Sequence, residues 1–233
     1  QSGCQIAEDL LAGGRRVVLS TSRVGRVPFW YRGRETVEWM ADVGFMDQRP
    51  RDLPDPSVMH AAMPILAPGH GLSLPALARA GAVLAGRPVA VEDERVGFDD
   101  SLAANVAAGD AFAARVRAMV DEAIRRRGLD APPAEPDEHD TPADLDPPER
   151  LDLGAGEVAA VVWCTGFTGD FSWLDAGLVG ADGQPLHEDA VAPTPGLWYL
   201  GLRWLRRRCS GILLGFPGDA AAVADAVKLH LGG

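Results

Sequence analysis

Apolar positions along the chain fall alternately into helical stripes and short continuous runs. Over residues 1–23, Ile6, Leu10 and Leu11 share a helical face, Gly13-Gly14 ends it, and Val17 to Leu19 form an apolar run. This pattern predicts helix, turn and strand, the second half of a β-α-β unit. A parallel sheet needs a strand before such a helix at its centre, so a helix starting at residue 2 leads us to expect a chain cut just inside the fold. A second short helix is predicted from Glu35 to Val43, with Val37, Met40 and Ala41 inward. Five prolines then punctuate residues 47–72 and predict a long irregular loop. Ser73 is an N-cap for a helix running to Leu84, with Pro75 in the first turn, where proline is tolerated. Val89 to Phe98 reads as a β-hairpin around Asp93-Glu94. A longer helix from Asp100 to Arg127 carries Leu102, Val106, Phe112, Val116, Met119, Val120 and Ile124, with Gly109 as a candidate break or kink.

Beyond it, residues 130–150 are proline-rich and carry eight acidic residues against one basic, the composition of a surface linker or excursion. The run EVAAVVWCTGF (157–167) and the glycine-interrupted GLWYLGL (196–202) read as strands covered on both faces. Ser210 to Gly218 form a glycine-rich turn, and Asp219 to Leu231 a closing helix.

The 233 residues are 47% hydrophobic, enough for one or two domains with a real core. A formal charge of -11 argues against nucleic acid, which demands clustered cations, and much of that charge is local to the acidic segment. No apolar run is long enough for a transmembrane helix, and residues 1–11 lack the layout of a signal peptide. Three distant cysteines, Cys4, Cys164 and Cys209, suggest neither a disulfide framework nor a zinc ribbon, and a reducing cytoplasm fits them.

Ser2-Gly3 lies where a phosphate-binding turn would enter its helix, with backbone amides and the positive helix end aimed at a pyrophosphate; an ordinary glycine at a helix start reads as well. The following strand ends in Ser20-Thr21-Ser22-Arg23, where a site selecting NAD would place an acidic residue. Hydroxyls and an arginine there suit the 2′-phosphate of NADP(H), which makes Ser20, Ser22 and Arg23 candidate cofactor residues. Arg26 either helps them or is exposed and solvates the turn. Arg203, Arg206, Arg207 and Arg208 form the strongest basic cluster, read either as a solvated loop or as a phosphate or acidic-partner contact. The five histidines share no metal-ligand spacing and are expected at the surface, so no metal site is expected. The tryptophans are expected in packing. With no Gly-x-Ser-x-Gly elbow, hydrolase chemistry has no support.

The blocks QSGCQIAEDL, VVLSTSRVGRVPFWYRGRE, VVWCTGFTGDFSWLD and GLWYLGLRWLRRRCSGILLG resemble, in order and spacing, the flavin-containing monooxygenase superfamily, especially its bacterial flavoprotein oxidoreductases. The resemblance implies an α/β fold: an incomplete Rossmann-like NADP(H)-binding domain over 1–163, then a C-terminal segment, 164–233, returning to the FAD-binding domain. The main FAD-binding part of the same polypeptide would lie upstream. It implies that Gly3 is the third glycine of a Gly-x-Gly-x-x-Gly motif, that Thr165 and Gly166 lie near cofactor, that Gly201 ends a strand close to the flavin, and that Ser210-Gly211 begins the turn into the last helix. Cys164 stands where the family usually has alanine and is read as packing. Leu202 stands where related disulfide reductases carry a flavin-binding aspartate, which favours the monooxygenase branch.

The implied reaction passes hydride from NADPH to FAD, and the flavin hydroperoxide formed with oxygen oxygenates a small substrate. Alternatives are a flavin reductase or electron-transfer partner without oxygenation, and a non-catalytic NADP-binding module. Residues steering the oxygen chemistry would lie mostly upstream, so no catalytic acid or base is named.

Overall fold

A computed structural model describes residues 1–154, 156 and 158–232. The chain divides into two compact units, residues 1–43 with 61–164, and residues 44–60 with 165–233.

In the first unit, α1 (Ser2–Ala12) leads to β1 (Val18–Ser20). Short strands β2 (Trp30–Tyr31) and β3 (Arg34–Glu35) turn at Arg32-Gly33, and α2 (Thr36–Asp42) follows. α3 (Leu74–Arg79) starts as its cap predicts, the Ser73 hydroxyl accepting from the Ala76 amide at 3.1 Å. It stops five residues short of the expected Leu84. Gly81 takes a left-handed φ of +103°, and Val83–Ala85 becomes β4, paired in parallel with β1 in the register Val18↔Val83. A three-residue apolar run beside a glycine satisfies a strand better than another helical turn.

Helices α1 and α3 cover this pair around a core of Cys4, Ala7, Ile65, Leu72, Leu74, Leu77, Leu84 and Leu102. β5 (Pro88–Glu92) and β6 (Arg95–Phe98) form the expected hairpin, with Asp93 and Glu94 both at positive φ. α4 (Leu102–Arg127) runs unbroken through Gly109, burying Leu102, Asn105, Gly109, Ala113, Val116, Val120 and Ala123 at three- and four-residue spacing. A second core cluster joins Tyr31, Trp39 and Val120.

The acidic segment lies largely at the surface, with Asp137 and His139 among its half-buried residues. Residues 137–142 are held to the unit by Arg26, Arg117 and Arg79, and β7 (Arg150–Asp152) adds to β6 as the third strand of the hairpin sheet.

The second unit contains 3₁₀ turns at Pro50–Asp52, Pro56–His60 and Ala176–Leu178, a core of Ala190, Ala192, Tyr199 and Leu205, and α5 (Phe216–Gly232). Residues 44–60, expected within the first domain, pack here through the Cys209 amide on the Met46 carbonyl and the Arg208 amide on Gln48.

Neither expected buried strand forms. Glu157 lies outside the described residues; over 158–167 no strand is present, and Val161, Val162, Trp163 and Phe167 are exposed. In 196–202 only Trp198 makes an isolated bridge, to Val191. Apolar composition demands cover, but a strand exists only where another edge receives its amides and carbonyls. Among the described residues no helix is long and apolar enough to cross a membrane.

Candidate functional site

α1 begins at Ser2 and Gly3, and the Cys4 and Gln5 amides bond back to the Gln1 carbonyl at 3.0 and 3.2 Å. Gly3 marks a close approach of helix and strand. A Cβ there would lie 3.2 Å from Cys164 Cβ and 3.7 Å from both Cys164 Sγ and Leu19 Cδ1. Glycine therefore lets Cys164 approach the helix start closely, with Leu19 of β1 in ordinary contact. Cys164 is exposed, whereas Cys4 is buried, and burial pushes its thiol up to about 11 against the opposing pull of the N-terminal ammonium. Cys4 is therefore a packing thiol, not a nucleophile.

The end of β1 lies in the same unit. The Ser20 hydroxyl donates to the Gly86 carbonyl at 2.7 Å, the Thr21 amide to Ala85, and buried Asn105 on α4 donates to the Thr21 carbonyl at 3.0 Å. Ser20 is thus committed to the neighbouring chain, while Ser22 and Arg23 stand exposed at the tip. Arg26 is not the exposed, turn-solvating residue expected. It is 3% exposed and forms ion pairs with Asp110, Asp137 and Asp140. Asn105 escaped the sequence reading, although a polar residue inside the apolar stripe of α4 was its available signal.

In the second unit, Gly201 and Gly211 belong to one loop. Gly211 has a φ of +84°, and a Cβ there would sit 3.1 Å from the backbone nitrogen of Arg203, so a side chain is excluded by both conformation and space. Ser210 is buried, its hydroxyl accepting from the Arg206 and Arg207 amides at 3.1 and 3.0 Å, so it knits its own turn. Thr165 and Gly166, the latter at φ +88°, lie in a stretch exposed throughout residues 161–170.

Three of the four clustered arginines are structural, not a solvated loop. Arg207 pairs with Asp47 at 2.7 Å and approaches buried Asp219. Arg206 donates to the Gly218 carbonyl, and Arg208 grips Gln48 while stacking on Phe45 and Trp204. Desolvation pushes the Arg208 guanidinium down from its ordinary value.

Two histidines depart from the expected surface position. His139 and His187 are partly buried, and burial lowers both imidazoles, in each case outweighing a neighbouring carboxylate. A cavity of about 380 Å³ in the first unit is lined by Glu8, Leu11, His70, Leu72, Leu77 and His139 among others, and includes none of the candidate cofactor residues. His70 is paired there with Glu8 at 2.9 Å. Among the described residues no group of three or more His, Cys, Asp or Glu could hold a metal ion. Trp39 and Trp204 pack as expected, but Trp30, Trp163 and Trp173 are exposed.

No family model matches this chain, and no solved structure does. The chain is similar to an uncharacterized oxidoreductase CzcO-like of Geobacillus kaustophilus, 35% identical over 75 residues, which is 32% of this chain and 22% of that protein. It is likewise similar to the uncharacterized oxidoreductase CzcO of Bacillus subtilis, at 35% over 73 residues, and of Bacillus velezensis, at 34% over 78, covering 21% and 23% of those proteins. The matched part spans about a fifth of each of these curated relatives.

Proposed function

We propose that this chain is part of an FAD-dependent, NADPH-using oxidoreductase of the flavin monooxygenase kind, in which residues 1–163 form a Rossmann-like NADP(H)-binding domain. The oxidoreductase assignment rests on the CzcO proteins. The nucleotide assignment rests on one juxtaposition. The start of α1, where Gly3 sits, packs against β1, and the chain leaving β1 carries exposed Ser22 and Arg23 with no carboxylate among residues 20–23.

These residues fit the group. A helix start offers unpaired amides and a partial positive charge to a pyrophosphate. Arg23 offers a charged donor to a 2′-phosphate, and Ser22 a hydroxyl. An aspartate or glutamate at the strand end would instead repel that phosphate. When bound, NADPH supplies the hydride and FAD accepts it and meets oxygen. The side chains described above bind and orient the nucleotide, and in this reading Thr165, Gly166, Gly201, Ser210 and Gly211 lie toward the flavin. A small molecule is then the substrate, and the flavin site is completed by polypeptide outside these 233 residues.

The test is selectivity. In the full-length protein Arg23→Ala weakens NADPH binding by roughly 1.5–3 kcal/mol and leaves NADH nearly unchanged, because only NADPH carries the charge that Arg23 meets. Equal losses for both nucleotides would make Arg23 a structural residue and remove the basis of the assignment.

A further inference from the structure

The exposed Ser22-Arg23 tip is short, and both its flanks are anchored to α4. On one side Asn105 holds the Thr21 carbonyl, itself supported by the Ser101 hydroxyl at 3.0 Å. On the other, the backbone of residues 24–26 lies flush on the helix. A Cβ at Gly25 would collide with the Phe112 ring at 2.7 Å, and one at Gly109 would touch the Val24 carbonyl at 3.4 Å. The same stretch is stitched to Ile65, whose amide donates to the Gly25 carbonyl at 2.7 Å while its carbonyl receives the Val27 amide.

Arg26 finishes this second anchor. Its Nε meets Asp110 Oδ1 on α4 at 2.8 Å, its Nη1 meets Asp137 Oδ2 at 3.2 Å, and its Nη2 bonds to Asp140 Oδ1. Arg117, about two turns further along α4 than Asp110, binds the same two carboxylates, Asp137 at 2.5 Å and Asp140 at 2.8 Å. Three carboxylates and two guanidiniums thus share one partly buried lattice. Removing the carboxylates would leave Arg26, 3% exposed, as a buried charge without compensation. The fork geometry matters as well, since a guanidinium reaches three carboxylates in fixed directions and an ammonium does not. At 3% exposure and facing three carboxylates, Arg26 is not open to a phosphate.

We propose that Asp137 and Asp140 of the acidic segment act through Arg26 as a clasp that positions the Ser22-Arg23 tip, and so set the preference for NADPH over NADH without touching either nucleotide. The clasp rests on the NADPH reading given above. It gives the acidic segment a task. Its carboxylates neutralise Arg26, and they fix the backbone from which Arg23 projects.

The experiment measures NADPH and NADH affinity of the full-length protein together with hydrogen exchange at residues 21–26. Asp137→Asn combined with Asp140→Asn is expected to lose about tenfold in NADPH affinity, part of what a charge-assisted contact contributes, with NADH unchanged and faster exchange over 21–26. Arg26→Lys should do the same. Glu135→Gln with Asp144→Asn, exposed acids of the same segment outside the lattice, should change neither nucleotide. If the double variant fails to fold, Arg117→Gln, which removes only the outer guanidinium, should give a smaller shift in the same direction. An unchanged NADPH:NADH ratio in a folded clasp variant overturns the proposal, as does slow exchange over 21–26. Arg23→Ala separates the two levels. A selective loss there with no effect of the clasp variants sinks the clasp alone, whereas no selective loss at Arg23 sinks the NADPH reading beneath it.

Discussion

Substituting Gly3 separates packing from ligand binding at a single atom. A Cβ at this position would sit 3.2 Å from Cys164 Cβ and 3.7 Å from Leu19 Cδ1. Carbon contacts are best at about 3.5–4.0 Å, so alanine asks for a shift of a few tenths of an ångström. Cys164 is exposed and can yield. Against this stands the helix propensity of alanine over glycine, about 0.5–1 kcal/mol in a helix interior and less at its second residue. The two effects oppose each other at similar size, so Gly3→Ala should change unfolding stability by less than about 1 kcal/mol. Valine differs, because two further methyl groups must enter space held by Leu19 and Cys164, and overpacking of this kind costs about 1–3 kcal/mol. Nucleotide binding should respond to alanine more than stability does. If the pyrophosphate rests on the helix start, the shift of a few tenths of an ångström that alanine demands displaces the amides that hold it and lowers affinity by about tenfold, near 1.4 kcal/mol. NADPH and NADH should lose equally, since both carry the same pyrophosphate, and this distinguishes Gly3 from Arg23. Urea unfolding and nucleotide titration of the full-length protein measure the two quantities. Gly3→Ala with unchanged NADPH affinity would refute the placement of the pyrophosphate, and Gly3→Val as stable as the parent would refute the close approach itself.

Three further outcomes are expected. Trp39 is buried and its indole donates to the Tyr31 carbonyl at 2.8 Å, so Trp39→Phe should cost about 1–3 kcal/mol in urea unfolding by leaving that carbonyl unpaired, and a loss below about 0.5 kcal/mol would contradict the burial. Burial holds the His139 imidazole below its ordinary 6.5, so the unfolded chain binds the extra proton first. The stability tied to neutral His139 is therefore complete above about 6.5 and is lost as pH falls through the lower folded value; His139→Gln should flatten that part of the stability–pH curve. A thiol reagent applied to the native chain should label exposed Cys164 first, and Cys4 and Cys209, both raised by burial, only on unfolding; early labelling of Cys4 would contradict its position in the core.

Local signals carried much of the secondary structure. The stripe on α4, the Ser73 cap and the Asp93-Glu94 turn all rest on interactions within a few residues, and each appears in the fold. What required distant partners was not legible. Whether Val83–Ala85 extends α3 or pairs with β1 depends on a strand more than sixty residues earlier, as the 66-residue link from Ser20 to Gly86 illustrates. The apolar runs at 158–167 and 196–202 announce a need for cover without stating which edge would receive them. Arg26 is the clearest case. Its sequence neighbours are neutral or basic, and the carboxylates that bury it come from 84, 111 and 114 residues away. That the acidic surface segment is tied down was hidden for the same reason, since composition counts charges but not the guanidiniums that meet them. At the candidate site, the glycines and the Ser22-Arg23 tip were visible in sequence; the commitment of Ser20 and Ser210 to backbone partners was not.

The most direct measurement is anaerobic titration of the purified full-length protein with each nicotinamide nucleotide, following the flavin absorbance. A yellow protein carrying FAD, bleached by NADPH at far lower concentration than by NADH, with Arg23→Ala erasing most of that difference, is the expected result. A colourless protein, or a flavin bleached equally well by both nucleotides in the parent, would contradict the assignment of this chain to an NADPH-using flavoprotein oxidoreductase.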